Sequence, residues 1–150
     1  MENVIDIAKL KIEELVNLNN NKRNYLKKLY EITKLQTIDI SSNSLNSLLD
    51  HIKQKQDIMN AIDDIDKKFY AEFQGLKLHL GIKSLEDVDI NEYPEIASLK
   101  FSVKEVMDLL GEIDKQDKNN ISNVKTEMDK LKEDMKDLQT QSKVIKNYGT

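Results

Sequence analysis

Apolar side chains recur every three or four residues from Ile96 to Tyr148, and this pattern predicts one long helix over about residues 94–147. Steps of about 3.5 residues describe a narrow stripe around which partner helices wrap with a left-handed supercoil. The spacing is interrupted only between Asp117 and Asn120. The stripe consists of Ile96, Leu99, Val103, Val106, Leu110, Ile113, Ile121, Val124, Met128, Leu131, Met135, Leu138, Ile145 and Tyr148.

The same periodicity predicts two helices ahead of this one, over about residues 2–36 and about residues 44–80. Ser, Asn and Asp are frequent in residues 37–44, and their side chains favour a turn between the two helices. We expect Gly81 to end the second helix in the left-handed conformation. The apolar face predicted for the second helix consists of Leu45, Leu48, Leu49, Ile52, Met59, Ile62, Ile65, Phe69, Phe73, Leu76 and Leu80.

Residues 81–93 form the expected connector to the third helix. Ser84 and Asp87 stand at the spacing of a helix cap, so we expect one short helical turn inside the connector. Pro94 is the only proline, and it fits the first position of the third helix, where a missing N–H costs nothing.

The composition favours long helices. Only 5% of the residues are aromatic, 33% are charged, and four glycines and one proline are present in the whole chain. These values predict an all-α fold, an elongated antiparallel three-helix bundle or coiled coil in which residues 1–150 form one domain. The third helix would be roughly 80 Å long and the first two roughly 50 Å each, so the lengths do not match.

This mismatch predicts an overhang. With turns centred near residues 40 and 89, the junction of the first two helices lies level with about Asp134 of the third helix. An apolar stripe left in water beyond that point is typical of an interaction site. The alternatives are that the third helix bends back, or that two copies pair there as a homodimer. The predicted partner-binding residues are Met135, Leu138, Val144, Ile145 and Tyr148.

The same alignment places three polar interruptions of the stripes at one level of the bundle. These residues are Arg23 on the first helix, Gln56 on the second and Asn120 on the third. We therefore expect them to form a structural polar layer. Such a layer weakens a bundle but fixes the register of its helices.

The charge pattern argues against nucleic acid as a partner. The net charge is -4 and Arg23 is the single arginine, so the bidentate phosphate contacts typical of nucleic-acid binders are missing. No run approaches the roughly 18 apolar residues that a membrane span needs, and the amino terminus does not read as a secretion signal. We expect a cytoplasmic protein without membrane insertion, and the lack of cysteine fits a reducing compartment.

No group of residues carries a recognisable catalytic or metal-binding pattern. His51 and His79 are the only histidines, and neither has the spacing that turns two ligands to one helix face. Acidic residues such as Asp63 and Asp64 belong to solvated helix faces. Phosphate-binding loops and nucleophile motifs are also missing. The sequence predicts no metal, no cofactor and no enzymatic activity.

Four short segments, in this order and spacing, give the chain a family resemblance. They are Lys53–Ile58, Leu80–Glu86, Tyr93–Glu95 and Lys146–Gly149. Together with the layout of three helices, they resemble the flagellar export chaperones of the FlgN type over nearly the whole length.

The resemblance implies a small cytoplasmic chaperone that holds hook-filament junction subunits before their export through the flagellar type III apparatus, with export-apparatus components as further candidate partners. It implies binding through the carboxyl-terminal helix, where Leu138, Val144, Ile145 and Tyr148 become the expected contacts. Residues 139–143 depart from the pattern because they are polar where the stripe needs apolar groups. A FliT-type filament-cap chaperone and a homodimeric structural or adaptor coiled coil are the alternatives.

Overall fold

The protein is a bundle of three long helices in the computed structural model, which describes residues 6–148, with side chains through Lys146. The helices are α1 (Ile7–Ser41), α2 (Leu45–Leu80) and α3 (Ile96–Tyr148), and one short 3-10 turn lies in the connector between α2 and α3. No strand occurs among the described residues. The predicted all-α three-helix bundle is therefore confirmed.

The first helix lies at the centre of the arrangement. It packs along both α2 and α3, and side chains of all three helices meet in two apolar clusters. Contacts between α1 and α3 join residues 83 positions apart, both at Asn19 with Ser102 and at Thr37 with Asn120. A constant offset means that α1 and α3 run parallel, with α2 antiparallel to both. The bundle thus has an up-down-up topology.

Two apolar clusters hold the bundle together. Full burial of each large apolar side chain contributes about 1.5 to 3 kcal/mol relative to exposure. The cluster near the start of α1 contains Ala8, Ile12, Leu15, Leu76, Val88, Ile96 and Leu99. The cluster near the middle contains Leu26, Leu29, Ile62, Val106 and Ile113.

The helix boundaries around the connector follow the predicted cap chemistry. Gly81 has φ 66° and ψ 32°, the left-handed conformation expected after α2. The Ser84 N–H donates to the Asp87 carboxylate at 3.2 Å, and the Glu86 N–H donates to the Ser84 hydroxyl at 3.2 Å. Pro94 was expected inside α3 but lies in the turn before it, where its carbonyl accepts from the Ala97 N–H at 3.2 Å.

The first helix extends to Ser41, beyond its predicted end near residue 36. Polar residues that favour a turn stay helical here because tertiary contacts supply their partners. Thr37 bonds to Asn120 at 2.6 Å, and Asp39 accepts from Ser47 at 2.7 Å. The turn is therefore later than predicted, with Asn43 at a left-handed φ of 54°.

The later turn and the connector together set a different register from the predicted one, so the predicted polar layer of Arg23, Gln56 and Asn120 does not form. Arg23 donates to both oxygens of Glu105 at 2.9 and 3.0 Å, well away from Asn120 along the bundle. Gln56 is exposed and donates to Asn60 at 3.0 Å.

Other buried polar contacts between α1 and α3 exist in its place. Asn19 donates to Ser102 at 2.9 Å, and Asn120 donates to the Thr33 carbonyl at 3.0 Å. Their side chains occupy positions where heptad packing would otherwise take apolar groups. Such contacts align two helices because any slip leaves a buried polar group unpaired.

Candidate functional site

The end of α3 projects beyond the other two helices. Val124 is its last half-buried residue, and every described side chain from residue 125 to residue 146 is exposed. Residues 125–148, here called the overhang, extend for about 36 Å at 1.5 Å per residue. The predicted boundary near Asp134 was wrong by about ten residues, because the α1–α2 turn and the connector set a different register from the assumed one.

Apolar side chains continue along one face of the overhang. Their exposed fractions lie between 53% and 69%, although each is large enough to belong in a core. They follow the spacing of the buried α3 residues, so the face that packs on α1 within the bundle continues beyond it. This distal stripe consists of Met128, Leu131, Met135, Leu138 and Ile145.

The predicted binding residues divide into three groups in the structure. Met135, Leu138 and Ile145 lie on the distal stripe. Val144 is 47% exposed, but its heptad equivalents are Lys130 and Asp137, so it lies off the line of the stripe. The Tyr148 backbone belongs to α3, while its side chain lies outside the described residues.

A cleft joins the base of the overhang to the α1–α2 turn. Ile40, Leu45 and Leu48 line one side of it, and Val124, Met128 and Leu131 line the other, around a volume of about 530 Å³. These six residues are the apolar lining of the space here called the distal cleft. Its polar lining includes Asn43, Ser44, Glu127 and Asp134. A second cleft of about 380 Å³ shares Ile40, Leu48 and Val124 and continues it between α2 and α3.

The sequence interpretation missed the distal cleft because it assigned Leu45, Leu49 and Ile52 to the bundle core. In the structure these side chains are 65%, 53% and 50% exposed. The sequence of α2 did indicate an exposed apolar surface. The first turns of this helix carry more apolar residues than one neighbouring helix can cover. The distal cleft separates the first turns of α2 from α3 and leaves that excess open to solvent.

Polar groups hold the walls of the clefts in place. Lys55 donates to Gln36 at 3.0 Å and to Asp117 at 2.7 Å, which links all three helices. Burial alone would raise the pKa of the Asp39 carboxyl, but hydrogen bonds from His51 and Ser47, with the His51 charge, hold that pKa below its usual range. The ionised Asp39 thus ties the end of α1 to the first turns of α2.

This surface provides apolar packing contacts. In residues 6–148 no group of three or more His, Asp or Glu side chains could hold a metal ion. The described helices also include none that is long and apolar enough to cross a bilayer. What the surface offers is an apolar helix face with a cleft at its base, which another helix can cover without special chemistry.

The fold and this surface define a helical-bundle protein whose third helix carries an exposed apolar face. A family model described as FlgN protein matches residues 1–150. The chain belongs to the FlgN family, the flagellar export chaperones. Neither the comparison with curated proteins nor the comparison with solved structures gave a match.

Proposed function

We propose that this flagellar export chaperone acts in the cytoplasm and binds hook-filament junction subunits through its overhang before they enter the type III apparatus. The observation that carries the proposal is the exposed distal stripe, in a chain whose family is that of export chaperones. Met135, Leu138 and Ile145 are the central contacts, with Tyr148 following on the same helix.

The energetics favour a helical partner. Each stripe residue gains about 1.5 to 3 kcal/mol on full burial, so covering four or five of them provides ample driving force even after ordering costs. The distal cleft adds apolar surface at the base of the stripe. A partner helix on the stripe would therefore end against Leu45 and Leu48, which limits how far it can slide.

The polar stretch 139–143 divides the surface into two parts. Met128 to Leu138 form a continuous stripe, and Ile145 follows after a gap in which Ser142 takes the apolar position. We expect the first part to supply most of the affinity. Ile145 and Tyr148 would contribute less per residue, because ordering the end of a helix subtracts from the gain.

A truncated chain tests the proposal. Ending the chain at Lys125 removes all of the overhang except its first residue and leaves both apolar clusters intact, so the melting temperature should change by less than about 3 °C. Binding of purified junction subunits, measured by calorimetry, should disappear. A chain ending at Asp134 keeps Met128 and Leu131 and should bind with intermediate affinity.

The outcome also decides between the alternatives. Undiminished binding of junction subunits by the chain ending at Lys125 would exclude the overhang as the site. Binding of the filament-cap subunit in place of junction subunits would assign the chain to the other cargo class. A full-length dimer that becomes monomeric on truncation would favour the homodimer.

A further inference from the structure

Charged residues flank the distal stripe with one sign on each side. Lys125, Lys132 and Lys146 occupy the same heptad position on one flank, and Glu127 and Asp134 occupy the corresponding position on the other. All five side chains are exposed. None forms an ion pair with another described residue of the chain. In helical pairs, these flanking positions decide which partner and which orientation are accepted.

These charges oppose an antiparallel pairing between the overhangs of two copies of the chain. In that orientation each flank faces the same flank of the second copy, so lysines lie opposite lysines or Gln139. Acidic residues lie opposite acidic residues, Gln141 or the position of Tyr148. No register of the antiparallel pair places a lysine of one copy opposite an acidic residue of the other. Like charges at these positions destabilise the pair.

Steric overlap with the α1–α2 turn opposes a parallel pairing of two overhangs. The α1–α2 turn lies on the stripe side of α3, since Asn43, Ser44 and Leu45 line the distal cleft together with Val124 and Met128. A second α3 running parallel along the stripe would continue past this level into the space of α1 and α2. The chain is thus protected against pairing with itself in both orientations.

We infer that the distal stripe accepts an amphipathic helix of a different protein that carries acidic residues against Lys125, Lys132 and Lys146, and basic residues against Glu127 and Asp134. This inference deepens the proposed function, because it states the chemistry of the helix that the overhang selects. Charge complementarity sets the choice of partner, and the apolar stripe supplies the affinity.

A charge-swapped full-length chain serves as the probe. Its changes are Lys125→Glu, Lys132→Glu, Lys146→Glu, Glu127→Lys and Asp134→Lys. An antiparallel pair of this chain with the unaltered chain has opposite charges along both flanks. Sedimentation and light scattering of the mixture should show a one-to-one heterodimer that weakens as salt is raised, with affinity at least tenfold above self-association of either chain.

A control variant carries Lys136→Glu, Lys143→Glu and Glu133→Lys, which change the net charge by the same amount on the side away from the stripe. It should not associate with the unaltered chain. A mixture with the charge-swapped chain that stays monomeric would overturn the inference, as would equal affinity for the control variant or for a second unaltered copy. The experiment uses no flagellar subunit, so its failure and failure of the cargo proposal are separate results.

Discussion

Replacing Leu138 by aspartate is expected to weaken the binding of junction subunits about ten- to hundredfold. The change removes about 1.5 to 3 kcal/mol of apolar burial from the middle of the contact, and each 1.4 kcal/mol corresponds to a factor of about ten in affinity. The new carboxylate must also lose its hydration under a partner helix. Isothermal titration calorimetry with the purified subunit measures the loss directly.

Thr140→Asp is the matched control for this change. Thr140 is exposed on the same stretch of α3, on the side away from the distal stripe, and its hydroxyl bonds only to the Lys136 carbonyl at 3.0 Å. The control adds the same charge to the same helix and should leave the dissociation constant unchanged within about twofold. Equal losses in both variants would contradict an interface on the stripe.

The largest effect on stability is expected from Leu76→Ala. Leu76 is completely buried in the cluster near the start of α1, among side chains from the other two helices. Truncating a buried leucine costs about 2 to 5 kcal/mol in the free energy of unfolding. For a chain of this size the melting temperature should fall by roughly 5 to 15 °C, as followed by circular dichroism.

Leu78→Ala provides the comparison on the same helix. Leu78 is 85% exposed, so the same chemical change should alter the free energy of unfolding by less than about 0.5 kcal/mol. The ratio of the two effects tests the orientation of α2. A similar loss for both variants would mean that α2 is rotated relative to the arrangement described here.

Much of the fold follows from local chemistry in the sequence. The apolar spacing predicted all three helices, and α3 begins where the stripe does, at Ile96. Gly81 ends α2 because glycine adopts positive φ without a steric cost, and the Ser84 cap forms because its partners lie within the same few residues. These predictions succeed because each depends on neighbours along the chain.

The register between helices could not be predicted in the same way. It depends on where α1 ends, and α1 ends late because Thr37 and Asp39 bond to side chains on α3 and α2. Turn propensity is a local property and is overridden by such tertiary contacts. The α1–α2 turn and the connector together set an offset of 83 positions between α1 and α3, where the predicted layer required Arg23 to pair with Asn120 at 97 positions. This difference separates Arg23 from Asn120 and lengthens the overhang.

The candidate site was only partly predictable for a related reason. The apolar stripe of the overhang is visible in the sequence, so Met135, Leu138 and Ile145 were selected without a structure. The distal cleft lies between the start of α2 and α3, and periodicity does not report the distance between helices. Met128 and Leu131 therefore stayed with the core in the sequence interpretation, although they are 54% and 61% exposed.

The central claim is that the overhang is the surface that receives the exported subunit. Amide hydrogen exchange along α3, measured with and without a junction subunit, tests it most directly. We expect exchange in residues 125–146 to slow at least tenfold on binding, with little change in residues 96–120, which are already protected within the bundle. A complex that forms while residues 125–146 exchange at their free rate, with new protection only on α1 and α2, would contradict the claim.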